Sequence, residues 1–125
     1  MKQAVVHSAT VVLEEGADEA APGAAVTVAL CGHWDHEGAC RWPHHSTVAA
    51  RDGQAVTLRT IVAFEPGERE LVGRRIALAL RSGRLDGPSG SSRWSVATSG
   101  PAELTEAERR LAERLVSAVN RRGDV

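Results

Sequence analysis

The chain carries almost nothing that would mark it for nucleic acid, a membrane or a nucleotide. Its 15 Lys and Arg are offset by 16 Asp and Glu, for a formal net charge of -1. The basic surplus with which a nucleic-acid-binding domain meets the phosphate backbone is therefore absent. No apolar run approaches the ~20 residues that a membrane-spanning helix needs. The opening stretch Ala4-Val5-Val6 is broken by His7, Ser8 and Thr10 and followed by Glu14 and Glu15. It lacks the apolar region of a secretory signal, so a cytoplasmic location is expected. There is no Gly-x-Gly-x-x-Gly, no phosphate loop and no nucleophile elbow. Cysteine is scarce as well, with only Cys31 and Cys40. In a reducing compartment two cysteines point to a metal pair or free thiols before a structural disulfide.

What is present fits one ordinary domain over residues 1–125. The length suits a single core, and 42% hydrophobic with 25% charged residues is the profile of a soluble globular protein.

Residues 4–13 are β-branched and partly alternating, which predicts a strand. An acidic loop over 14–23 leads to a second expected strand at 24–31, with Val26, Val28 and Leu30 on one face and Thr27, Ala29 and Cys31 on the other. Residues 45–51 and 54–64 read as a hairpin turning at Asp52-Gly53, a dipeptide suited to positive φ. A helix is expected to start at Glu65-Pro66-Gly67-Glu68 and to end in a left-handed cap at Gly83. Its apolar face holds Leu71, Val72, Ile76, Ala79 and Leu80. Residues 84–92 read as a flexible Gly/Ser loop and Arg93 to Thr98 as a short strand. A last helix begins near Thr105, where Thr105 and Glu108 have capping-box spacing.

The expected order is β-β-loop-β-β-α-β-α. The simplest packing is an α+β domain, one mostly antiparallel sheet with two helices packed on one face. The other face would stay partly open, with room for a ligand or a second copy of the chain.

The unusual residues sit together. Residues 31–45 hold both cysteines, four of the five histidines and two of the three tryptophans. Thiolate and imidazole are the preferred ligands of zinc, and they also suit copper, nickel and iron. The candidate ligands are Cys31, His33, His36, Cys40, His44 and His45. Neighbouring residues of a strand point to opposite faces, so His44 and His45 cannot both meet one ion with ease. The favoured set is Cys31, His33 or His36, Cys40 and His44, with His45 in an outer role. Asp35 and Glu37 could orient an imidazole through its second nitrogen, or serve as the base for a metal-bound water. Trp34, Trp42 and Trp94 read as packing residues, and His7 as a hydrogen-bonded strand residue.

The pairs Cys31-x-His33 and Cys40-x3-His44 superficially resemble the Rieske iron–sulfur pattern over fourteen residues. The second pair has one residue too many, and two loops able to clamp a two-iron cluster cannot both be built in so short a segment. The residues themselves point to a small cytoplasmic metal-binding protein, zinc first, with a structural or regulatory site. The alternatives are a metalloenzyme with an activated water, a thiol switch through Cys31 and Cys40, and an interaction or dimerisation domain without metal.

Overall fold

The computed structural model describes residues 2–31, 41–87 and 90–123. The elements in chain order are β1 (Gln3–Leu13), α1 (Ala21–Cys31), β2 (His44–Asp52), β3 (Ala55–Phe64), α2 (Arg69–Ser82), β4 (Arg84–Gly87), β5 (Gly90–Ala102) and α3 (Glu106–Gly123). All five strands form one antiparallel sheet in the order β2-β3-β1-β5-β4. The α+β class and the antiparallel sheet agree with the reading of the sequence.

β1 lies at the centre of the sheet, and its residues alternate between two covered faces. Val5, Ala9, Val11 and Leu13 share a face with Val56, Leu58 and Val62 of β3, since the register pairs Val5 with Val62, Ala9 with Leu58 and Val11 with Val56. Against this face pack Val26 and Leu30 of α1 and Val72, Ile76 and Leu80 of α2, all nearly inaccessible to solvent. Removing each such side chain from water contributes ~1.5–3 kcal/mol, which is what seats the helices. The opposite face presents Val6 and Ile61 to Ala112, Leu111 and Leu115 of α3.

Three corrections follow. The segment expected as a second strand is the helix α1. Val26, Val28 and Leu30 alternate as in a strand, but the buried set is Ala21, Pro22, Ala25, Val26 and Leu30, which is helical spacing. The Asp18 carboxylate accepts the Ala20 N–H at 2.9 Å and so starts the turn, and Pro22 is tolerated in the first turn. Second, two helices do pack on one face, but they are α1 and α2, while α3 covers part of the face expected to be open. Third, residues 84–87 and 90–92 of the expected Gly/Ser loop are paired as the β4–β5 hairpin, Arg84 opposite Arg93 and Leu85 opposite Ser92.

The expected hairpin and helix cap form, but the hairpin turn falls one residue later than Asp52-Gly53. The β2–β3 hairpin pairs Asp52 with Ala55, so its two turn residues are Gly53 and Gln54. Only Gly53 has positive φ, at 60°, which is the requirement of a turn with glycine first rather than one with both positions left-handed. Both arms of the capping box at α3 are made. Glu108 N–H donates to Thr105 Oγ1 at 3.2 Å, and Thr105 N–H donates to Glu108 Oε1 at 2.8 Å. Among the described residues, no helix is long and apolar enough to cross a membrane.

Candidate functional site

The Cys/His segment leaves the last residue of α1 and returns at the first residue of β2. Its two described ends meet. Cys31 Sγ lies 3.9 Å from His44 Nδ1, because α1 lies across the sheet beside β2. Cys31 is disulfide-bonded. Cys40, the chain's one other cysteine, lies outside the described residues, as do His33, Asp35, His36 and Glu37. A sulfur held in a disulfide has no thiolate pair to offer a metal until it is reduced.

His44 is buried and bonded at both nitrogens. Nδ1 is 3.0 Å from the Trp42 carbonyl oxygen, an acceptor, so Nδ1–H donates. In the neutral ring Nε2 then accepts from the Thr27 hydroxyl of α1 at 3.1 Å. These bonds tie β2 to α1 and satisfy a ring that would otherwise be costly to bury. His45 is exposed on the other side of the strand, as the alternation of strand side chains requires.

The returning end of the segment is held on α2. Trp42 is buried in the main core, as its packing role requires. Its indole Nε1–H donates to Glu68 Oε1 at 3.3 Å, and Arg41 donates to Glu68 Oε2 at 2.5 Å. The Glu65 N–H also donates to Oε1, at 3.1 Å. Burial acts to raise the Glu68 carboxyl, but these three bonds outweigh it and hold the group below the ordinary carboxylate value. The guanidiniums of Arg41 and Arg75 stand 4.6 and 5.2 Å from the Trp42 ring centre, close enough for attraction to its π face.

Beside His44 a cleft of about 330 Å³ opens between α1 and β2. Thr27, His44 and Ser46 form its polar side and Leu58 its apolar floor. Ser46 Oγ is 2.9 Å from Thr60 Oγ1, so the hydroxyls are partnered within the sheet. The ion pair between Arg51 and Glu19, at 2.6 Å, lies at the cleft's exposed end.

Of the six candidate ligands, then, Cys31 and His44 are brought together and His45 is turned away. Among the described residues no group of three or more His, Cys, Asp or Glu side chains is placed to hold a metal. Thr27 and Glu68 position the segment yet had no signal in the sequence. Alternation places Thr27 on a strand face, and Glu68 falls within the expected start of a helix, so neither stands out from its neighbours. No protein-family model matches the chain, and neither a curated protein nor a solved structure is detectably similar to it.

Proposed function

We propose that this chain is a small cytoplasmic zinc-binding protein whose site is regulatory and answers to thiol oxidation. In the reduced state Cys31, Cys40, His44 and one of His33 and His36 hold one ion. A small-molecule disulfide takes two electrons from the Cys31 and Cys40 thiolates and leaves as two thiolates, and the protein disulfide so formed withdraws both sulfurs, so the ion leaves. The reading is carried by the 3.9 Å approach of Cys31 Sγ to His44 Nδ1. Two donors of a tetrahedral zinc, at ~2.3 Å for sulfur and ~2.0 Å for nitrogen, lie ~3.5 Å from each other, so a shift of a few tenths of an ångström suffices. Ligation through Nδ1 gives up the bond to the Trp42 carbonyl. It leaves Nε2–H to donate to Thr27, the outer hydrogen bond that metal-bound imidazoles require. A disulfide in the cytoplasm is characteristically transient and redox-sensing, which favours a switch over a permanent staple.

The test is elemental analysis of untagged protein in reduced and oxidised form, with Cys31→Ser and His44→Gln. One zinc per chain is expected for reduced wild type, and markedly less for oxidised protein and both variants. Equal zinc in all four samples, or none in any, refutes the reading.

A further inference from the structure

We infer that a groove on the far side of α2 is a second binding site, for a small molecule with an aliphatic body and a carboxylate head. The groove lies between α2 and the seam of β1 with β5, and its volume of about 380 Å³ is in the range of small-molecule sites. Of the described candidate ligands, none of Cys31, His44 and His45 lines it.

Its base is apolar, with the buried Val62, Val72 and Ile76, and the partly exposed Val5 and Ala77 form its sides. Gly73 stands in the middle of the helical wall. A Cβ added there would meet nothing within 4 Å, so the space over this residue is unfilled. Arg69 and Arg81 line the groove from the first and last turns of α2. Twelve residues of helix separate them by roughly 18 Å, and neither is ion-paired with a carboxylate among the described residues. An apolar trough with a guanidinium at either end can seat an extended aliphatic chain in either direction, its one carboxylate meeting one of the two. The polar wall between them is His7, whose Nε2 is 2.7 Å from Ser99 Oγ. Burial holds that imidazole below its ordinary value, which disfavours a third cation in the apolar middle.

The probe is dodecanoate, titrated below its micelle concentration and followed by calorimetry, with dodecyltrimethylammonium as the cationic control. Saturable binding of one dodecanoate per chain and none of the control is expected. Gly73→Leu fills the trough and removes binding while the protein still unfolds cooperatively, at or above the wild-type temperature. The exposed double variant Arg69→Gln/Arg81→Gln weakens binding by about tenfold, the loss of one charge-assisted contact. No saturable binding to wild type, unchanged binding to a folded Gly73→Leu, or equal binding of the cationic amphiphile overturns the inference. None of these measurements depends on zinc or on the state of Cys31.

Discussion

Gly83 and Trp94 lock the end of α2 against β5. Gly83 sits in the left-handed region at φ 67°, and a Cβ built there would come within 2.6 Å of the Trp94 carbonyl oxygen. Trp94 N–H donates to Gly83 O at 3.0 Å, and the indole Nε1–H donates to Leu80 O at 2.8 Å. Leu80 O also accepts the Gly83 cap N–H at 3.2 Å, so the indole adds a second donor to that terminal carbonyl.

Gly83→Ala is therefore expected to destabilise the fold by about 2 kcal/mol or more, from backbone strain and the backbone clash together. Gly73→Ala, ten residues earlier in the same helix, faces open space and is expected to stabilise by about 0.5–1 kcal/mol. Urea denaturation of both variants checks the pair. Equal effects would mean that the two glycines are not distinguished by backbone conformation.

Arg59 of β3 meets Glu108 of α3 with two parallel bonds, Nε to Oε2 at 2.9 Å and Nη2 to Oε1 at 2.8 Å. The bond from Arg59 leads the effects that bring the Glu108 carboxyl from 4.5 to about 2. A lowered carboxyl stabilises the fold fully above its unfolded value, and that stabilisation is lost as pH falls from about 4.5 toward 2. Glu108→Gln is expected to cost about 1–2 kcal/mol near neutral pH, less than the whole shift implies because the pair is partly open to solvent. Its urea midpoint should approach that of wild type only as pH falls to about 2. A constant gap across that range would mean that the loss does not come from the charge of Glu108.

His44 bridges α1 and β2 with both ring nitrogens bonded. Replacing it by Ala leaves Thr27 and the Trp42 carbonyl short of a partner and opens a cavity, for an expected loss of about 2–4 kcal/mol. Thr27→Val should cost less, since the Trp42 bond survives. If the two variants unfold alike, the imidazole acts only through the Thr27 contact.

Cys31→Ser removes the disulfide and is expected to lower stability by about 2–3 kcal/mol in the absence of reductant. With reductant and no zinc, wild type and variant should unfold together. Added zinc should then raise the unfolding temperature of wild type alone, since an ion that binds only the folded state stabilises it by mass action.

By itself the sequence determined the features that depend on near neighbours. The β2–β3 hairpin follows from Gly53 between two β-branched runs. The reciprocal cap of α3 follows from Thr105 and Glu108 three residues apart, and the end of α2 from Gly83. The chemical character of residues 31–45 was equally plain, as was the α+β class. Tertiary structure decided what rests on partners distant in the chain. Residues 24–31 suit a strand or a helix, and only burial of Ala21, Ala25, Val26 and Leu30 against the sheet selects the helix. That choice brings Thr27 to His44 and Cys31 beside the same ring. The guanidinium of Arg59 finds Glu108 49 residues away, a pairing no local pattern encodes. Short-range steric and hydrogen-bonding rules act within a turn of chain, whereas the free energy of burial is settled only when remote segments share a core.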